Sequence, residues 1–320
     1  MLTTLDETVK LINEGRILHI AADDSLLSKL PKGNWIAGTT PYFSSEEGGL
    51  ITKDRLFVHV IEYATDVKIG VYGKYSVFQT VEDGFDNGLT VLIMPYGSEV
   101  TSNYAKGAPE VEELLMHPTI GWISGFDLSA GGDAKVYDGT TGISYTDKAV
   151  AMFLKLPDDK NAVINIVNIF EDDKTDPAIT FPDNTLEVTK CWVNGQEVNF
   201  AEYISKKGFD PRMPLVADYN GVYINTSIKL IEGNKVGLYA PVFKGQEYRF
   251  ATSVTDYPGK FMKKIEEASG RNPVFSCNCI LNYQYGELEG RKTSPYVGPI
   301  TFGEIAYQLI NQTLVYCEIK

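Results

Sequence analysis

Histidine is the scarcest chemically useful residue in this chain, with 3 in 320 positions. A protein so poor in imidazole has few ready general bases near neutral pH. Cysteine is nearly as rare: there are 4, two of them in Cys277-Asn278-Cys279. That number makes no disulfide framework and places the chain in a reducing cytoplasm. Basic residues are outnumbered, 29 Lys and Arg against 42 Asp and Glu, for a formal net charge of −13. No basic run occurs, so the cationic face that a nucleic-acid backbone requires is not expected. No window approaches the about 18 consecutive apolar residues of a membrane helix, so no membrane insertion is expected. The opening Met1-Leu2-Thr3-Thr4-Leu5-Asp6 has neither the basic start nor the apolar core of a secretion signal. The Gly-x-Ser-x-Gly, Gly-x-x-x-x-Gly-Lys-Ser/Thr and His-Glu-x-x-His signatures are also missing, which leaves little to suggest an enzyme.

What the chain does have is apolar and aromatic mass. The apolar fraction is 43%, with 19 Tyr and 15 Phe, enough for one large or two ordinary domains. Leu5 to Asn13 has helical spacing with Thr4 or Asp6 as cap, and Arg16 to Ala22 reads as a buried strand. Asp23 to Leu30 is a short helix, followed by strands at Asn34–Phe43 and Leu56–Tyr63. Strands at Lys68–Phe78 and Leu89–Pro95 are expected to meet through the Asn87-Gly88 turn pair. Val163 to Phe170 is a near-continuous apolar run and reads as a central strand. The acidic, Pro-containing run Glu171 to Pro177 marks a boundary, giving domains 1–170 and 171–320. Asn194-Gly195 is a second tight-turn pair. Near the C-terminus a helix is expected over Lys260–Ser269, with strands at Val274–Ile280, Tyr296–Phe302 and Thr313–Ile319. The fold class is therefore α+β: two related lobes of mixed β-sheets covered by helices, with a layered α/β/β/α sandwich as one form of it.

The two ends of the chain share an order of helix, strand, crossing segment, strand, Gly turn and strand. Ala37-Gly38-Thr39-Thr40-Pro41-Tyr42-Phe43 compares with Val297-Gly298-Pro299-Ile300-Thr301-Phe302-Gly303, which suggests an internal repeat. Several of these runs also resemble a known family. Phe275-Ser276-Cys277, then Gly298 to Ile305, then Asn311-Gln312-Thr313-Leu314 is similar to the end of the FIST domain. Ile36-Ala37-Gly38-Thr39-Thr40 is similar to the turn of its N-terminal half, and Val193 to Val198 with Ala201-Glu202-Tyr203-Ile204 follows in the family's order. The chain departs from the family in having Ile280-Leu281-Asn282 where many members carry an Arg, and it has no recognisable output segment. The resemblance implies an intracellular sensor of small, amino-acid-like ligands acting on a separate histidine kinase or other signalling protein. It also implies an alternative, a haem-binding sensor of nitric oxide.

Candidate site residues follow from these readings. Thr39, Thr40, Glu304 and Asn311 stand at the two equivalent turns, where hydroxyl, carboxylate and amide groups would frame a cleft. Cys277 and Asn282 stand at or beyond the end of a neighbouring strand. The bland alternative is that the glycines serve tight turns and the polar groups satisfy local backbone. His117, before Pro118 in a loop, is the candidate haem ligand; His19 and His59 sit inside strand patterns and read as core residues. Cys277 as the nucleophile of an enzyme lacks an evident base. A pure interaction module is the remaining reading.

Overall fold

The computed structural model describes residues 1–219, 221–268 and 270–320, and in it three stretches of chain repeat one pattern. The first stretch runs β1 (Leu2–Thr3), α1 (Leu5–Asn13), β2 (Ile17–Ala22), α2 (Asp24–Leu27), β3 (Trp35–Thr39), β4 (Tyr42–Ser45), β5 (Gly48–Ile51) and β6 (Leu56–Ile61). The second runs β7 (Asp66–Tyr72), α3 (Thr80–Asp83), β8 (Gly88–Pro95), α4 (Glu99–Gly107), β9 (Thr119–Ser124), β10 (Val136–Asp138), β11 (Ile143–Tyr145) and β12 (Ala149–Lys155).

The third stretch opens with β13 (Ala162–Val167) and then departs into an inserted lobe. That lobe comprises β14 (Ile179–Thr180), β15 (Thr185–Val188), β16 (Lys190–Val193), β17 (Gln196–Asn199), α5 (Phe200–Lys207), β18 (Leu215–Tyr219), β19 (Val222–Thr226), β20 (Ile228–Glu232), β21 (Lys235–Val242) and β22 (Tyr248–Phe250). The third pattern then resumes with α6 (Tyr257–Glu267), β23 (Phe275–Cys279), α7 (Ile280–Tyr285), β24 (Gly298–Thr301), β25 (Glu304–Ala306), β26 (Gln308–Ile310) and β27 (Leu314–Ile319).

Strand pairing makes the repeat explicit. In each unit the two strands flanking the second helix are parallel: β2 with β3, β8 with β9, β23 with β24. The last strand of each unit returns antiparallel to the first of that pair: β6 on β2, β12 on β8, β27 on β23. The intervening hairpin is given away. Strands β4-β5 extend β24, β10-β11 extend β3, and β25-β26 extend β9. Three six-stranded sheets result, each taking two strands from a neighbouring unit. This exchange closes a ring, so the three units depend on one another for their sheets.

Glycines mark the equivalence at atomic scale. Gly121 of β9 lies opposite Leu92, and a Cβ there would come within 1.8 Å of the Leu92 carbonyl oxygen. Gly298 holds the same place in β24, and its Cβ would come within 2.0 Å of the Ser276 carbonyl oxygen. Only a residue without a side chain fits so close to a neighbouring backbone.

The inner faces of all three sheets meet in one apolar interior. Ile36, Ile93, Trp122, Met152, Phe275 and Val315 belong to it. The alternate residues face outward against helices: Leu18 and Ile20 pack with Ile12 of α1, and Leu92 and Met94 pack with Val100 and Tyr104 of α4. Strands buried on both faces carry apolar residues throughout, which is why they appear in the sequence as unbroken runs. Helix α1 starts where expected, because Thr4 and Glu7 form a reciprocal capping box. The inserted lobe has its own core around Phe181, Phe200, Ile204, Tyr248 and Phe250.

The α+β class with mixed sheets is the architecture found. The relation between the chain ends is present and extends to a third unit between them. The domain boundary at residue 170 is corrected: β13 pairs with β27, β4 with β24 and β9 with β25, so strands on either side of it share sheets. Val163 to Phe170 is also corrected. Its strand lies at the edge of its sheet, not the centre, because β27 covers only one side. Asn87-Gly88 closes no hairpin, since β12 lies between β7 and β8. Asn194-Gly195 does close one, with φ of 49° and 81°. The expected helix end at Ser269 lies outside the described residues. Among the described residues, no helix is long and apolar enough to cross a membrane.

Candidate ligand-binding groove

Parallel strand pairs leave an open edge at their C-terminal ends, where ligands commonly bind in α/β sheets. The three units present three such edges, and the inserted lobe leans over two. Over the third unit it makes a sealed polar contact. Over the second it leaves a groove of about 390 Å³.

The sealed contact contains Glu304, Asn282 and Asn311 of the residues singled out from sequence. Glu304 is fully buried at the start of β25. Its Oε2 accepts from the Thr313 backbone N–H at 3.3 Å and from the Thr313 hydroxyl at 2.8 Å. Thr301 Oγ1 lies 2.9 Å from Glu304 Oε1 and 3.2 Å from the Asn278 carbonyl. Burial pushes the Glu304 carboxyl up to about 8, against the opposing pull of its Thr313 and Thr301 hydrogen bonds. With Glu304 a neutral acid, Thr301 gives its single proton to the Asn278 carbonyl and receives the Glu304 proton.

Asn282 continues the cluster from α7, donating to Asn278 Oδ1 at 2.9 Å and accepting from the Tyr257 hydroxyl at 2.6 Å. Gln312 Nε2 donates to Tyr257 at 3.1 Å, and Ser227 of the inserted lobe donates to Gln312 Oε1 at 2.5 Å. Asn225 of β19 donates to the Asn311 carbonyl at 3.4 Å. These bonds stitch the lobe to the third unit.

Thr39 and Thr40 do related work at the ring's seams. Thr39 Oγ1 donates to the Gly125 carbonyl at 2.7 Å and Thr40 Oγ1 to the Ile300 carbonyl at 2.8 Å. Together they tie the first unit to the second and third. Cys277 points into the sealed interior with Sγ 3.5 Å from the Gly121 carbonyl. Burial holds its thiol well above the ordinary range, whereas a nucleophile needs its thiolate form accessible. His117 stands half-buried at the end of a 3₁₀ turn over Glu112–Met116 and does not line the groove. Among the described residues, no group of three or more His, Cys, Asp or Glu gathers to hold a metal ion.

The groove itself is built from residues the sequence reading passed over. Its inner wall is aromatic: Tyr96 follows β8, and Phe302 sits in the turn between β24 and β25, with ring centroids 5.2 Å apart in edge-to-face contact. Phe126 packs against Phe302 at 5.2 Å from behind. The opposite wall is the three-stranded sheet β15-β21-β20 of the inserted lobe. At its centre Gly237 lies opposite both Glu187 and Leu230. Its φ is not in the left-handed region, and an added Cβ would make only an ordinary contact, 3.4 Å from Leu230 Cγ. Gly237 sits where the pairing shifts register on both neighbours, before Glu187 on β15 and before Leu230 on β20, a place that glycine commonly marks. Its missing side chain also leaves the groove wall open.

Charge is carried at the rim. Lys229 Nζ lies 4.9 Å from the Tyr96 ring centroid. Lys235 is paired with Glu187 at 2.7 Å, and Glu232 stands beside it. Burial pushes the Tyr239 hydroxyl up to about 12, so it faces the groove as a neutral donor and acceptor.

The sequence matches a family described as "Family of unknown function (DUF6976)" over residues 3–320. The chain belongs to this family. No curated protein and no solved structure matches it. The DUF6976 chain thus offers its own geometry as the guide to function. One signal for the groove was present in the sequence: a glycine at the centre of the strand run Lys235-Val236-Gly237-Leu238-Tyr239.

Proposed function

We propose that this DUF6976 protein binds a small zwitterionic or carboxylate-bearing molecule in the groove between the ring of sheets and the inserted lobe. The observation that carries this reading is the groove itself, with the aromatic pair Tyr96 and Phe302 on one wall and Gly237, a mid-strand glycine with room for a side chain, on the other. The aromatic pair Tyr96 and Phe302 supplies apolar contact. Lys229 and Glu232 supply one charge of each sign, and the Ser102 hydroxyl adds a polar contact on α4. A mostly apolar cleft with a few placed polar groups is the usual composition of such sites. The reading agrees with what the FIST resemblance implies, a small-ligand sensor whose bound state is passed to a separate signalling protein.

Thermal unfolding in the presence of free L-amino acids and short dicarboxylic acids tests it. A probe that binds the folded state raises the Tm, and the rise grows with the logarithm of its concentration above Kd. Gly237→Ala is expected to keep or raise the basal Tm, since alanine is favoured over glycine by about 0.5–1 kcal/mol within a strand. The same variant is expected to lose the probe-induced shift. If no probe moves the Tm, or if Gly237→Ala responds as the parent does, the groove is not the site.

A further inference from the structure

Each unit opens with a strand that pairs antiparallel with the unit's last strand and ends its sheet: β1 on β6, β7 on β12 and β13 on β27. An edge strand presents a row of unpaired backbone groups, and proteins guard such rows with charge or with short strands. The first two edges are guarded. β1 has 2 residues, and β7 carries exposed Asp66 and Lys68. β13 has neither device. No side chain from Asn161 to Phe170 is charged, and Ala162 to Ile166 are all half-buried.

The backbone groups on the open side of β13 can be assigned. Asn161 and Lys320 exchange both of their backbone hydrogen bonds, at 2.8 and 2.9 Å. Antiparallel pairs alternate between bonded and non-bonded, and the register from Ala162–Ile319 to Val167–Leu314 is unbroken. Val163, Asn165 and Val167 therefore turn their N–H and C=O groups to β27, whereas Ile164 and Ile166 turn theirs to the open side. The Cys317 carbonyl agrees: it accepts from the Val274 N–H of the neighbouring chain segment, away from its partner Ile164.

We propose that a second copy of this chain pairs with β13, strand to strand and antiparallel, about a two-fold axis at Asn165. Self-complementarity selects this partner. Val163-Ile164-Asn165-Ile166-Val167 reads the same in both directions. In a two-fold interface one patch serves both subunits, so such a strand meets its own match at every position. Ile164 of one copy faces Ile166 of the other, and both such pairs exchange their outward N–H and C=O groups. Val163 faces Val167. Asn165 faces Asn165 in a non-bonded pair, where side chains approach most closely. Asn165 Nδ2 gives one proton to the Val163 carbonyl at 3.1 Å, which leaves its second proton and its oxygen for the opposite amide. Ile164 and Ile166 share the inner face of the sheet and Val167 belongs to the outer one, so each face continues into the same face of the second copy. The formal net charge of −13 sets two copies repelling over much of their surface, and this uncharged stretch lets their backbones meet. A strand pair this short buries less than the roughly 1,200 Å² of a stable interface, so the dimer is a reversible one.

Sedimentation of the full-length protein across the micromolar range tests this. The parent is expected to pass from monomer to dimer as its concentration rises. Asn165→Lys and Asn165→Asp each set like charges opposite one another at the axis, and each alone is expected to weaken dimerisation at least tenfold. An equimolar mixture of the two sets Lys opposite Asp and is expected to recover the dimer, which a merely misfolded variant could not do. Ile164→Pro removes an outward N–H without taking a bond from β27; it is expected to act as the charged variants do, and it decides the matter if one of them fails to fold. A parent that stays monomeric throughout overturns the proposal, and so does any of these variants dimerising as strongly as the parent. A mixture that stays monomeric, with both charged variants folded by circular dichroism, overturns the pairing about Asn165.

Discussion

Replacing Glu304 by glutamine should change how stability depends on pH. Glu304 is fully buried and its carboxyl is pushed from 4.5 to about 8. In the unfolded chain the same group ionises near 4.5. Between these two values the folded protein holds a proton that the unfolded chain has released. Stability from this group is therefore fully present below about pH 4.5, is lost as pH rises, and is gone above about pH 8. The gap corresponds to roughly 5 kcal/mol, a large share of the stability of an ordinary domain. The amide introduced by Glu304→Gln would keep the hydrogen bonds of the neutral acid, with its N–H toward Thr301 Oγ1 and its oxygen accepting from Thr313. It does not titrate. Glu304→Gln should thus gain on the parent by about 5 kcal/mol between about pH 4.5 and about pH 9. Urea denaturation of both proteins across that range measures the difference. A gap that stays constant with pH would refute the assignment of Glu304 as a buried neutral acid.

Other outcomes follow from the same contacts. Gly121→Ala would place a Cβ 1.8 Å from the Leu92 carbonyl oxygen. It should prevent folding or lower the Tm severely, and soluble yield with circular dichroism reads this directly; a well-folded variant would count against the close β8–β9 approach. Thr40→Val leaves the buried Ile300 carbonyl without its hydroxyl donor. It should cost about 1–3 kcal/mol in chemical denaturation while leaving probe binding in the groove unchanged. Loss of binding without loss of stability would return Thr40 to the site. All four cysteines are buried and unpaired with one another. A thiol reagent should therefore label none of them in the native protein and all four after unfolding; rapid native labelling of Cys277 would revive its reading as a nucleophile.

Local pattern made much of the fold legible. Thr4, one of two candidate caps, announced the start of α1, and Asn194-Gly195 announced its hairpin, because both devices act within a few residues. The apolar runs located the strands of the three sheets, since strands buried on both faces must be apolar throughout. The likeness of residues 37–43 to 297–303 pointed to a repeat, whose middle copy has diverged too far to read.

Only the tertiary structure decided the rest. The given-away hairpins join β4 to β24, β10 to β3 and β25 to β9, across separations that no local pattern encodes. Val163 to Phe170 reads as central from composition, but position in a sheet depends on which strand comes alongside. The turn from Thr301 to Glu304 was found from sequence, yet the role of each residue depended on its surroundings. Glu304 became a sealed neutral acid, while Phe302 beside it became a groove wall. Sequence supplied the residue types and their periodicity. Long-range packing set which of their polar groups were buried against partners and which were left facing a cavity, because desolvation is a property of the assembled neighbours, not of the residue itself.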